Sequence, residues 1–143
     1  MTEKYVAVST IAIQAPPARV WSVITDPKSV GELFFGSEVI TDWSVGGPII
    51  WRGEWEGKPF EDRGEIIAFE PGRRLETTHF SPLTGQPDLP ENYHTLTWTL
   101  EPSGTQTVLT LMQDNNDSPA AAEHSRGMWD TLLATAKDLA EAN

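Results

Sequence analysis

Two histidines, one aspartate and one glutamine carry most of the chemistry open to this chain of 143 residues. His79 and His94 fall in stretches that alternate like β-strands, and Asp62 and Gln113 occupy similar positions in neighbouring stretches. An imidazole beside a carboxylate can move a proton near neutral pH, or orient the polar end of a bound molecule. These residues do not read as a metal site, because the histidines lack the i, i+4 spacing of a zinc-binding helix. His124, Glu123 and Asp117 read as solvated groups at the start of the last helix. The chain has no cysteine, which removes thiolate nucleophiles, disulfides and cysteine zinc sites. It also lacks a Gly-rich phosphate loop, a dinucleotide fingerprint and a nucleophile elbow. No catalytic residue, metal or cofactor follows from the motifs. Binding is favoured over catalysis, with acid–base work by His79 or His94 as the open alternative.

The elements that must position these groups can be read from period and punctuation. Tyr5 to Gln14 alternates as a strand. Pro16-Pro17 opens a short helix with Val20, Val23 and Ile24 on one face. Asp26-Pro27 opens a second helix, ending near Phe34-Phe35-Gly36. Six extended stretches follow: Val39–Ile40, Ile49–Trp55, Phe60–Phe69, Arg74–Phe80, His94–Leu100 and Thr107–Gln113. Most are separated by short Gly/Pro turns, which predicts an antiparallel meander. Ser118-Pro119 caps and opens a closing helix to Ala142, with Trp129, Leu132, Leu133, Ala136, Leu139 and Ala140 on one stripe. Such a helix is about 35 Å long and cannot bury that stripe alone. Gly127 costs about 1 kcal/mol against alanine inside it, which predicts a kink or a close backbone contact.

Alternation then sorts each strand into two faces. Ile49, Trp51, Gly53 and Trp55 fall together, as do Phe60, Asp62, Gly64, Ile66 and Ala68, then Leu75, Thr77 and His79. His94, Leu96, Trp98 and Leu100 form a further set, and Leu109, Leu111 and Gln113 the last. The more apolar sets are expected beneath the closing helix. Pairing through Pro71-Gly72 puts Ala68 near Leu75 and Gly64 near His79. Pairing through Ser103-Gly104 puts Leu100 near Thr107, Trp98 near Leu109 and His94 near Gln113. Asp62, His79, His94 and Gln113 then gather at one end of the sheet, beside the proline-rich stretch Ser81 to Glu91, which is expected as a flap over a pocket mouth.

The apolar depth of that pocket is assigned to Trp51, Ile66, Leu96, Trp98, Leu111, Trp129 and Leu133. His79, His94 or Gln113 would orient one polar end, with Asp62 at the rim. Burying ~200 Å² of an apolar ligand there would contribute roughly 5 kcal/mol before the cost of immobilising it. For each histidine the alternative is a strand-end residue making one hydrogen bond.

Several local words of the sequence resemble a known family. Ala15-Pro16-Pro17-Ala18-Arg19-Val20-Trp21 with Thr25-Asp26-Pro27 looks like the opening of the START-like (SRPBCC) superfamily. Val45-Gly46-Gly47, Phe69-Glu70-Pro71-Gly72-Arg73-Arg74-Leu75 and Gly127-Met128-Trp129-Asp130-Thr131-Leu132-Leu133 are similar to its branch of heat-shock protein 90 ATPase activator homologues. The resemblance implies an α+β helix-grip fold over a single domain, residues 1–143. A curved antiparallel sheet would wrap a long C-terminal helix, with two short helices after the first strand. It implies a cavity between sheet and helix for a small, mostly apolar molecule such as a lipid, an aromatic or a polyketide. Acid–base chemistry of the polyketide cyclase kind is the alternative it offers. Through the branch's name it also implies a stress-response role and a chaperone partner, for which no residue here marks a surface.

The whole-chain properties bound the partners. A formal net charge of -11 opposes unaided binding to nucleic acid or to anionic membranes. No apolar run reaches signal-peptide or membrane length, so a cytoplasmic location is expected. A homodimer is left open.

Overall fold

The structure, a computed structural model, describes residues 5–34 and 36–142, the side chain of Trp55 excepted. Phe35, placed above at the end of the second helix, and the inward assignment of Trp55 therefore lie outside the described residues. The chain runs β1 (Tyr5–Ile13), α1 (Pro17–Thr25), α2 (Pro27–Leu33), β2 (Glu38–Ile40), β3 (Pro48–Trp55) and β4 (Lys58–Glu70). It continues through β5 (Arg74–His79), β6 (His94–Ser103), β7 (Gln106–Asn116) and α3 (Pro119–Glu141). The strands form one antiparallel sheet in the order β1-β7-β6-β5-β4-β3-β2. This is the helix-grip α+β fold: α3 lies across β1 and β7, while α1 and α2 close the rest of the concave face.

Local chemistry explains the element boundaries. Each α-helix begins with proline, whose fixed φ suits the first turn and whose missing N–H is no loss there. The Asp26 carboxylate accepts the Lys28 N–H at 2.9 Å, and Ser118 Oγ accepts the Ala121 N–H at 3.0 Å, so α2 and α3 are capped. Glu56 and Gly57 both take positive φ, the geometry of a two-residue hairpin turn whose twist matches the strands it joins.

The core has two parts. In the larger, Ala122, Trp129, Leu132, Leu133, Ala136 and Ala140 of α3 bury against Leu96, Trp98 and Leu100 of β6, Leu109 and Leu111 of β7, and Val20, Val23 and Ile24 of α1. Burying each leucine contributes roughly 1.5–3 kcal/mol. The smaller part gathers Val30, Val39, Ile49, Trp51 and Ile66 beneath α2. Phe34, Trp43 and Phe69 pack against both and join them.

Three expectations from sequence need correction. Ala68 does not face Leu75, because an irregularity between Ile66 and Ala68 bends β4 and makes Phe69 the partner of Leu75. Beyond it, Arg63 bridges Phe80, and Gly64 lies beside His79 as expected. The β6–β7 pairing is displaced by two residues, since the turn lies one residue later, on Gly104-Thr105 rather than Ser103-Gly104: Leu100 faces Leu109, Trp98 faces Leu111 and Leu96 faces Gln113. A shift of two keeps every side chain on its expected face. Gly127 is exposed inside an uninterrupted α3, and a Cβ there would meet nothing within 4 Å, so it marks no close contact. Among the described residues no helix is long and apolar enough to cross a membrane.

Candidate functional site

Three neighbouring strands build one polar patch on the concave face. Trp51 of β3 is paired with Asp62 of β4, and β5 brings Thr77 and His79 alongside. His79 Nε2 lies 3.0 Å from Asp62 Oδ2, and the His79 ring meets the Trp51 indole edge-on with centroids 4.8 Å apart. The pair is sheltered, with 17% and 14% of the His79 and Asp62 side chains exposed. Since the carboxylate accepts, Nε2 carries the hydrogen, and in the neutral ring Nδ1 is left as an acceptor.

Most of the polar atoms in this patch have no partner. Trp51 Nε1, Asp62 Oδ1, Thr77 Oγ1 and His79 Nδ1 are buried and make no hydrogen bond within the protein. Asn115 Oδ1 is the remaining such atom among the described residues, and it lies elsewhere. An unsatisfied buried polar group costs about 1–3 kcal/mol, and native folds carry few of them.

Apolar rings enclose the space next to this patch. Phe34, just past α2, stands 5.8 Å from Trp51 and 6.5 Å from both Trp98 and Trp129. The void bounded by Phe34, Trp51, Thr77, Leu96 and Trp98 is ≈ 10 Å³, room for one water at most. At this point the interior is filled by Phe34 and the neighbouring indoles.

The other expected residues are placed as follows. Ile66, Leu96, Trp98, Leu111, Trp129 and Leu133 are buried in the two core parts. Gln113 is also buried, but its Oε1 accepts the Trp129 indole N–H at 3.2 Å, which ties β7 to α3. His94 sits opposite His79 across the β5–β6 ladder. Its Nδ1 donates to the Asp114 carbonyl at 2.8 Å, beside a polar recess of ≈ 360 Å³ shared with Gln86, Asn92, Asn115, Asn116 and the first turn of α3. The four polar residues thus divide: Asp62 and His79 act together, while Gln113 and His94 are each engaged separately.

The 81–91 stretch does not simply cover this mouth. Thr84, Gln86 and Glu91 flank the His94 recess, but Asp88 is anchored on the convex side. It accepts from Arg63 Nη1 at 3.1 Å and from the Tyr93 hydroxyl at 2.6 Å, and Tyr93 stacks on Phe80 at 5.1 Å. Burial, then the bond to Asp88 and its charge, push the Tyr93 phenol above its ordinary pKa, with Arg63 opposing. A convex-face recess of ≈ 600 Å³ lies between Ile50, Glu65, Asp88, Pro90 and Tyr93.

Two residues of the patch were not singled out from sequence. Thr77 was on the inward face by alternation, and its threonine hydroxyl between Leu75 and His79 was the available signal. Phe34 carried no signal, because its position depends on how α2 docks. Among the described residues no cluster of three His, Asp or Glu could hold a metal ion.

Comparison with known proteins gives this geometry a context. The family model described as activator of Hsp90 ATPase homolog 1-like protein matches residues 14–141. A Cytophaga hutchinsonii protein solved in solution is 42% identical over 99% of this chain and 97% of its own, with a TM-score of 0.86. The Aha1 dimer from Colwellia psychrerythraea is 18% identical, covers 96% of this chain and 97% of its own, and superposes with a TM-score of 0.73. DynU16, from the dynemicin biosynthetic locus, is 18% identical over 97% of this chain and 48% of its own, with a TM-score of 0.78. The last two likenesses show the fold alone. No protein of curated function matches the chain.

Proposed function

The chain belongs to the family of activator of Hsp90 ATPase homolog 1-like proteins, and from that premise we propose that it binds a small, mostly apolar molecule between the concave sheet and the helices. The observation that carries the reading is the unpartnered polar patch of Trp51, Asp62, Thr77 and His79 set among apolar rings. Apolar depth with a few polar groups fixed on one wall is what small-molecule sites use for affinity and orientation. A ligand there displaces the Phe34 ring, gives the patch hydrogen bonds, and buries its own apolar surface against Trp51, Trp98 and Leu96. His94 and Gln113 serve at the margin of this site, and Ile66, Leu111, Trp129 and Leu133 shape its floor. The ligand proposed is a lipid, an aromatic or a polyketide-like molecule, and the apolar rings around the patch suit any of the three.

Native mass spectrometry of the purified protein, followed by thermal melts with the candidates it reveals, tests the reading. A stoichiometric small molecule that raises Tm in the native protein but not in Trp51→Ala supports it. A protein that carries and gains nothing across lipid and aromatic panels, while remaining folded, overturns it.

A second reading is favoured by one contact. His79, held through Nε2 by Asp62 with Nδ1 unpartnered, is arranged as a general base in the manner of a positioned imidazole. Turnover of a bound ligand that is lost in His79→Ala, with binding retained, would convert the binder into an enzyme. A cytoplasmic location belongs to the proposal, and a homodimer is supported by the Colwellia relative solved as one. Stimulation of a chaperone ATPase, which the family name carries, has no residue of this chain to rest on.

A further inference from the structure

We infer that the bound molecule carries a hydroxyl on an unsaturated ring, a phenol or an enol, and that Trp51, Thr77 and His79 read that hydroxyl. This rests on the binding reading above and adds the chemistry of the ligand's polar end. Each unpartnered atom has a fixed hydrogen-bonding role. Trp51 Nε1 is a donor only, and Thr77 Oγ1 both donates and accepts. In the neutral ring His79 Nδ1 is an acceptor, because Nε2 then donates its hydrogen to Asp62 Oδ2 at 3.0 Å. Asp62 Oδ1, in the same carboxylate, accepts only.

Each simple polar group can be set against that list. A carboxylate would satisfy Trp51 and Thr77 but would bring its negative charge and lone pairs against Asp62 and the Nδ1 lone pair. An ammonium would satisfy His79 and Asp62 while turning its own hydrogens on the Trp51 N–H. A ketone or ether oxygen only accepts, and leaves His79 Nδ1 buried without a partner. A hydroxyl meets three of the four atoms: its O–H donates to His79 Nδ1, and its oxygen accepts from the Trp51 N–H and the Thr77 O–H, which leaves Asp62 Oδ1 as the one atom it does not reach. The flat rings of Phe34, Trp51 and Trp98 beside the patch favour a planar, unsaturated carrier for that hydroxyl.

The test compares 2-naphthol, 2-methoxynaphthalene, naphthalene and 2-naphthoate by calorimetry on the full chain. Naphthol is expected to bind at least tenfold more tightly than the ether or the carboxylate, since removing one partner leaves buried polar groups unpaired. That preference should fall below threefold in Thr77→Val, which keeps side-chain volume, and in His79→Phe, which keeps a flat ring without the nitrogens, while naphthalene affinity is retained. The indole N–H resonance that disappears in Trp51→Phe should shift with naphthol and stay in place with naphthalene. Equal affinities for naphthol and its ether, or tightest binding of naphthoate, would overturn the hydroxyl assignment and leave the binding reading standing. No binding of any probe to folded protein would sink both.

Discussion

His79 and His94 face each other across the β5–β6 ladder, yet their rings are committed in opposite ways. His79 reaches back to the Asp62 carboxylate and keeps Nδ1 in the interior without a partner, whereas His94 uses Nδ1 on the Asp114 carbonyl at the polar end. Residues of one type on one face thus differ in what they leave available. His79 is the residue whose loss should alter ligand behaviour, and His94 the residue whose loss should alter the β6–β7 end.

The Asp62–His79 contact should behave as a coupled pair in stability. Asp62→Ala leaves His79 with both ring nitrogens unpartnered in a closed interior, at an expected cost of about 1–3 kcal/mol. His79→Phe leaves the carboxylate alone and should cost a similar amount. Removing both groups together, in Asp62→Leu/His79→Phe, should cost clearly less than the sum, because no half of the pair is stranded. A double-mutant cycle from urea denaturation checks this, and strict additivity would show that the pair does not interact.

Phe34 should be the side chain that closes the interior. Truncation to alanine removes the ring that stands between Trp51, Trp98 and Trp129, and should cost about 3 kcal/mol from lost burial plus the cavity it leaves. The vacated volume should admit small aromatics, so benzene or indole should raise the Tm of Phe34→Ala more than that of the native protein. Thermal melts with and without these compounds report it.

The two informative glycines should respond oppositely to alanine. At Gly64 a Cβ would fall 1.9 Å from the Thr78 carbonyl oxygen, so Gly64→Ala must push β4 from β5 just where Asp62 meets His79. A loss on the order of 3 kcal/mol is expected, with ligand binding impaired as well. At Gly127 nothing lies within 4 Å, and Gly127→Ala should stabilise α3 by roughly 0.5–1 kcal/mol. Chemical denaturation of both variants gives the signs directly.

These residues also show which parts of the molecule the sequence made legible. Alternation placed Trp51, Asp62, Thr77, His79, Leu96 and Trp98 on one face, because a period of two survives any even error of register. The distances along the ladder were less secure. Centring the β6–β7 turn one residue too early set His94 rather than Leu96 opposite Gln113, and the extra residue in β4 hid the true partner of Leu75. That irregularity is nonetheless what restores Gly64 to His79. Phe34 could not be found this way, since no local pattern encodes where a short helix docks. Gly127 was misjudged for a related reason: a propensity cost signals that something tolerates glycine, not that a neighbour demands it.

The 81–91 stretch supplies a prediction in pH. Tyr93 donates to Asp88, which also accepts from Arg63, so one carboxylate ties the stretch to the convex side of β4. Burial and the Asp88 bond raise the phenol's pKa in the folded protein, so the folded state holds this proton more tightly than the unfolded chain. A group shifted in that direction stabilises fully below its unfolded value, near 10 for tyrosine, and loses its contribution as pH rises through the folded value. The native protein should therefore exceed Tyr93→Phe in stability by roughly 0.5–1.5 kcal/mol at neutral pH, with the gap closing only above about pH 10. Urea denaturation of the two proteins between neutral and alkaline pH measures that gap. A gap that closed on the acid side of neutrality instead would show that the Tyr93 proton is not what holds the stretch in place.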